Sequence, residues 1–161
     1  NRFDDINNYD LIIEQNAIPD WYNTDIEKKV KKKLKKLISN MIISNGRKKL
    51  VLNQGIILTN TAKIDKAKNV VVFGMFDNSR IHHLTENSKV FTMTEESKIQ
   101  KIDSSVVNEM YDKTKIENLC DNSKVVKMYD QSEIETMKGN SIIDMMKGKS
   151  FIEKMEDYSL T

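Results

Sequence analysis

From Asn78 to Asp157 the chain divides into nine consecutive units that share one pattern, x-S-x-[IV]-x-x-[ML]-x-[DEG]. NSRIHHLTE, NSKVFTMTE, SSVVNEMYD and NSKVVKMYD are examples. KTKIENLCD carries Thr114 in place of Ser, and the unit Glu96–Asp103 has eight residues instead of nine. The pattern extends upstream through Asn69–Asp77, where Val70 replaces Ser, and through Thr61–Lys68, a second eight-residue unit. A short repeat of this kind folds by stacking, because one unit cannot bury its apolar residues alone.

The columns show how the units stack. Ser and Ile/Val stand two apart and so point to the same side of a strand. The Met/Leu three residues later closes the turn inward, and Asp/Glu/Gly followed by Asn, Ser, Lys or Gln suits an outer turn. Along the fourth position the residues run Ile64, Val72, Ile81, Val90, Ile99, Val107, Ile116, Val125 and Ile134, then Ile143 and Ile152. Ile and Val alternate, so the true period is two units, roughly 18 residues. The expected fold is mainly β, a parallel two-sheet β-solenoid of about five coils over 61–161, with an N-terminal α-helical cap. One sheet is lined by Ile and the other by Val and Met, as two interdigitating layers of different volume require.

The outward third and fifth positions also divide by parity. The Ile class carries Arg80/His82, Lys98/Gln100, Lys115/Glu117, Glu133/Glu135 and Phe151/Glu153 and is charged. The Val/Met class is more apolar, and Phe73, Phe91, Val106, Val126 and Ile142 mark it as a protein-interaction face. The open C-terminal end of the array is a second expected contact, for a partner or for another copy of the chain.

Before the repeat, residues 1–48 form an N-terminal segment. Pro19 punctuates its first part, and Trp21 and Tyr22 are expected to pack on the segment C-terminal to them. A helix is predicted over about residues 25–44, opened by a capping box of Thr24 with Glu27 and closed at Asn45-Gly46. Ile26, Val30, Leu34, Leu37, Ile38, Met41 and Ile42 recur at helical spacing. The other face carries Lys28, Lys29, Lys31, Lys32, Lys33, Lys35 and Lys36. Residues 49–60 read as strand, turn, strand, a transition into the repeat. Through Leu50 the charge is 11 − 7 = +4, and from Val51 onward 15 − 17 = −2, so the basic excess is N-terminal.

The units NSKVFTMTE, SSVVNEMYD and NSKVVKMYD resemble the S-x-V-x-x-M-[WY]-[DG]-S nonapeptide tracts of bacteriophage and bacterial mobile-element proteins. The resemblance covers residues 61–161 and departs in using Tyr, Thr, Lys or Cys where those tracts often have Trp. It implies a solenoid tract in a phage-like or bacterial protein and brings no catalytic residue with it.

Enzymatic chemistry has little to work with. His82 and His83 are adjacent, so on an alternating strand they face opposite ways and cannot share a metal. No other His is present to activate a Ser or Cys nucleophile. The acidic column Asp77, Glu86, Glu95, Asp112, Asp121, Asp130 and Asp157 lacks the glycine-rich turns of calcium β-rolls and reads as solvated turn acids, partly paired with lysines. The Ser column is expected to hydrogen-bond to its stacked neighbours in the core. Cys120 alone excludes an internal disulfide and a multi-cysteine metal site. No apolar run approaches the ~18 residues of a membrane span.

The expectation is therefore a non-enzymatic structural or interaction module without a cofactor, cytoplasmic or virion-associated. Its partner is a protein or a second copy. The alternative is a nucleic-acid-binding or anti-defence phage protein that uses Lys28, Lys29, Lys32, Lys33 and Lys36 as anion-binding residues.

Overall fold

The computed structural model describes residues 22–156. The readings of residues 1–21, of Asp157 and of the array beyond it lie outside the described residues. Two compact units make up the chain, Asn1–Ile42 and Ile43–Thr161.

In the first unit, helix α1 spans Thr24–Met41. Its cap lies one residue before the expected Thr24. Asn23 is extended (φ −153°, ψ 171°), and its Oδ1 accepts from the Asp25 and Ile26 N–H groups at 3.1 and 3.0 Å. Asn is the stronger N-cap, and its side chain satisfies two of the four free amides of the first turn. Glu27 does not close a capping box. Its carboxylate instead accepts from the Tyr22 hydroxyl (2.9 Å) and meets Lys31 Nζ (3.0 Å). The helix ends three residues before the expected Ser44, because the β-branched pair Ile42-Ile43 takes up extended backbone as strand β1 (Ile42–Ile43).

The second unit consists of β2 (Arg47–Leu52), β3 (Gly55–Leu58), β4 (Lys63–Lys68), β5 (Val71–Met75), β6 (Arg80–Thr85), β7 (Lys89–Met93) and β8 (Lys98–Asp103). It continues with β9 (Val106–Met110), β10 (Lys115–Cys120), β11 (Lys124–Met128), β12 (Glu133–Met137), β13 (Ile142–Met146) and β14 (Phe151–Met155). Odd strands, with β1 at one edge, form one seven-stranded sheet, and even strands form the other. Every described pairing is parallel. The chain is thus a two-sheet solenoid of about seven turns.

The parity of the repeat is the parity of the sheets. Ile64, Ile81, Ile99, Ile116, Ile134 and Ile152 stand in register down the even sheet. Val72, Val90, Val107, Val125 and Ile143 do so down the odd sheet. Coil lengths follow from these pairs: 81 − 64 = 17 and 99 − 81 = 18. From Ile64 to Ile134 the inward Ile, Val, Met and Leu side chains are essentially free of solvent contact. Each contributes about 1.5–3 kcal/mol by burial. Residues 47–58 also form a coil of their own. Lys48 registers with Ile64 in the even sheet, and Ile56 with Val72 in the odd one, so strand, turn and strand are divided between the sheets.

Strict alternation fails within each strand. Positions four and seven are buried and positions three, five and six face outward, as the burial of β9, β11 and β12 shows. Two outward residues therefore separate two inward ones.

The corners are built on left-handed backbone. Asn60, Asn69, Asp77, Glu86, Glu95, Asp112, Asp121 and Asp130 all have φ between 48° and 57° or, for Glu95, 62°. Gly139 and Gly148 occupy the same column with φ of 60° and 73°. Asn, Asp and Gly tolerate this region best, which accounts for the column's composition. At the corners leading from the odd to the even sheet the carboxylates have a second use. The Asn60 N–H donates to Asp77 Oδ2 (2.7 Å), and the Asp77 N–H donates to Glu95 Oε2. The Glu95 N–H donates to Asp112 Oδ2 (2.9 Å), and the Asp112 N–H to Asp130 Oδ2 (3.3 Å). Of the acids expected to be solvated or paired with lysines, Glu86 does pair with Lys68, while Asp77, Glu95, Asp112 and Asp130 form a ladder, each holding the backbone of the coil before it. The ladder stops where Gly148 follows Asp130.

Buried hydroxyls from Ser79 to Ser141 sit at these corners. They bond partly to stacked neighbours, as expected, with Ser88 Oγ accepting from the Val70 N–H of the coil before (3.2 Å), and partly to carbonyls of their own turn. Ser88 donates to Thr85 O (2.6 Å), Thr114 to Tyr111 O (2.9 Å) and Ser123 to Ile102 O (3.2 Å). A small hydroxyl fits here because it can satisfy a turn carbonyl inside a narrow core.

Candidate interaction surfaces

Three surfaces carry the residues singled out by the sequence. The first is the outer face of the odd sheet. Phe73, Phe91 and Ile142 are exposed at 45%, 39% and 39%, whereas Val106 and Val126 are half-buried. Phe73 and Phe91 stack with ring centroids 6.0 Å apart and planes 4° apart. Val71 and Met145 are exposed on the same sheet. Met145, at the sixth position, is hidden by an assumption of strict alternation.

The third-position column of this face is Val71, Lys89, Val106, Lys124 and Ile142, in register. Apolar side chains and lysines alternate down it. The apolar path consequently crosses between columns instead of running straight. Lys89 Nζ lies 4.6 Å from the Phe91 ring centroid, and Lys124 pairs with Asp144 at 2.7 Å. Lys127 meets Glu109 at 3.1 Å. Glu109 also accepts from the Tyr111 hydroxyl at 2.9 Å, which with partial burial pushes the Tyr111 phenol up to about 12. Tyr111 and Tyr129 stack at the adjoining corner, centroids 4.9 Å apart.

The even sheet presents a mostly charged face, with Leu50, Leu52 and Phe151 exposed on its two end strands. Arg47 Nε meets Asp65 Oδ1 at 2.6 Å, and Lys115 bridges Glu133 (2.6 Å) and Glu135. Burial alone would lower the Lys115 ammonium, but its hydrogen bonds to Glu133 and Glu135 outweigh that and hold it above the ordinary lysine value. The two histidines do not diverge to opposite faces. They fill the two outward positions between Ile81 and Leu84, so both are partly exposed. His82 Nδ1 lies 3.8 Å from Asp65, and His83 Nε2 hydrogen-bonds to Asp103 Oδ2 at 2.5 Å. Among the described residues, no group of three or more His, Cys, Asp or Glu is placed to hold a metal. Cys120 is buried, and burial followed by the nearby Asp103 charge pushes its thiol up, away from nucleophilic use.

The second surface is the end of the solenoid at β13 and β14. Among the described residues, neither strand pairs on its far side. Met137 and Ile134 are fully buried, but their equivalents one coil on, Met155 and Ile152, are exposed and half-buried. Among the described residues, nothing covers the core columns or pairs the strand edges there.

The third surface is α1. Lys28, Lys29, Lys32, Lys33 and Lys36 are all exposed, while Lys31 is half-buried against Glu27. No residue of the helix is buried. No described helix is long and apolar enough to cross a membrane. No protein-family model, curated protein or solved structure matches the chain.

Proposed function

We propose that the chain is a non-enzymatic structural and interaction module, a rigid β-solenoid that acts as a spacer and presents the odd sheet to a protein partner or a second copy. The observation that carries this reading is the inequality of the two faces. Both faces carry ion pairs between coils, but between the end strands the even face is charged and polar, whereas the odd face leaves stacked Phe73 and Phe91, with Ile142 and Met145, in water. A parallel solenoid suits a spacer, since each coil is held by its neighbours on both sides and length is added in constant steps of about 4.8 Å. Phage-like or bacterial origin rests on the nonapeptide resemblance and accords with such a role.

Light scattering tests the self-associating form. The wild type should exceed monomer mass at high concentration, and Phe91→Lys with Val126→Lys should return it to monomer. A strict monomer at every concentration, unchanged by these substitutions, removes that form and leaves the spacer. Nucleic-acid binding ranks second. The exposed lysines favour it, but no Arg and no aromatic side chain stands among them for bidentate or stacking contacts.

A further inference from the structure

Among the described residues, the apolar stripe of helix α1 is largely exposed. Leu37 is 61% exposed, Val30 38% and Leu34 36%, and Ile26, Ile38 and Met41 are only partly covered. At about 100° per residue these six side chains occupy an arc of roughly 120°, interrupted only by Glu27, whose carboxylate is paired with Lys31 and Tyr22. Lys29 and Lys33 fall along one margin of the arc, and Lys31 and Lys35 along the other. Over Thr24–Met41 seven lysines oppose Asp25 and Glu27, 7 − 2 = +5. The helix is about 27 Å long, with an apolar face too narrow to span a bilayer.

These features select among occupants. A second copy of the helix would bring margins of lysine against margins of lysine, in either orientation, with Glu27 the one acid near the seam; such pairing is opposed by like charge. A polyanionic nucleic acid would satisfy the lysines but leave the apolar arc exposed. An anionic lipid surface satisfies both at once. The arc enters the headgroup boundary, and the marginal lysines extend their aliphatic stems along it while their ammonium groups meet lipid phosphates.

We propose that α1 is an in-plane anchor that binds an anionic lipid surface and tethers the chain there. The proposal is independent of the odd-sheet face, since it uses neither its residues nor its partner.

The test is flotation of the full chain with vesicles. It should float with phosphatidylcholine vesicles containing phosphatidylglycerol, not with phosphatidylcholine alone, and be released as salt rises. Leu34→Glu with Leu37→Glu should weaken partitioning at least ~100-fold, since two apolar anchors are replaced by charges that acidic lipid repels. Lys29→Glu with Lys33→Glu should weaken it at least ~30-fold, since two charges that acidic lipid attracts are lost and two that it repels take their place. Circular dichroism of each variant confirms that the helix persists. The proposal is overturned if the chain floats with neither vesicle, or if the leucine variant floats as well as wild type. It is also overturned if mixed-sequence duplex DNA competes the chain off acidic vesicles in a manner that depends on the lysines alone. A dimer by light scattering that the leucine variant abolishes, without vesicle binding, would assign the stripe to a second copy instead.

Discussion

The core columns predict that the same substitution will have very different costs at two positions of one column. Ile116 is fully buried, with Ile99 and Ile134 in register on either side. Ile116→Ala removes three carbons, about 2.5 kcal/mol of transfer free energy. A cavity closed by stacked neighbours adds about 1–2 kcal/mol, giving about 4 kcal/mol in all. Ile152 is half-buried and has one in-register neighbour, Ile134. There the transfer loss is roughly halved and no closed cavity forms, so Ile152→Ala should cost about 1 kcal/mol. Urea unfolding followed by far-ultraviolet circular dichroism measures both. Hydrogen exchange should show protection lost in β8 and β12 for the first variant, and confined to β12 and β14 for the second. Equal losses at the two sites, or a loss below about 1.5 kcal/mol at Ile116, would falsify the view that stability comes from nearest-neighbour stacking of these columns.

Three further outcomes are expected. Burial pushes the Asp103 carboxyl up, but hydrogen bonds from Lys101 and His83 outweigh it and hold it below its ordinary value of 3.8. Its stabilising contribution is therefore complete above that value and lost as pH falls through the lower folded value, so an acid titration of stability should be flatter there for Asp103→Asn than for wild type. Asp112→Ala removes the acceptor of the Glu95 N–H and places Ala at φ 55°, so it should cost about 1–2 kcal/mol. Asp112→Asn should recover most of that loss in the same denaturation assay, since it keeps an acceptor and tolerates the backbone. Cys120, buried and with a raised thiol, should react with a thiol reagent at neutral pH at least ~100-fold more slowly than in denaturant.

The fold is legible in the sequence where a side chain has one physical task. Ile81 and Val90 do nothing but fill two cores of different width, so their alternation transmits the two-sheet architecture directly. Lys48 occupies an inward column at the edge of the stack, where burial is not demanded, so the coil at residues 47–58 lacks the repeat's signature. The histidines and Met145 escape the pattern for a different reason. Inward positions stand three apart, which a rule of alternation cannot express. The acidic column is visible as a column, but its use depends on left-handed backbone aiming an amide at the next carboxylate. That is a property of stacked corners, absent from any single unit. Of the candidate site, Phe73 and Phe91 can be read from parity. The alternation of Lys89 and Lys124 with Val71, Val106 and Ile142 gains meaning only when register makes them neighbours.

The two seams of the solenoid differ in how they keep count. Corners that carry the carboxylate ladder hold two residues between the last turn carbonyl and the buried hydroxyl position, as in Asp77-Asn78, Glu95-Glu96, Asp112-Lys113 and Asp130-Gln131. At the opposite seam the spacing varies: one residue at Asn69 and Ser104, two at Glu86-Asn87, Asp121-Asn122 and Gly139-Asn140. Both eight-residue units shed their missing residue on this side. The first seam acts as a ruler and the second as slack. A foreign loop spliced at Asp121-Asn122 would leave the count intact, whereas one at Asp112-Lys113 would throw every later carboxylate out of step with the amide it serves.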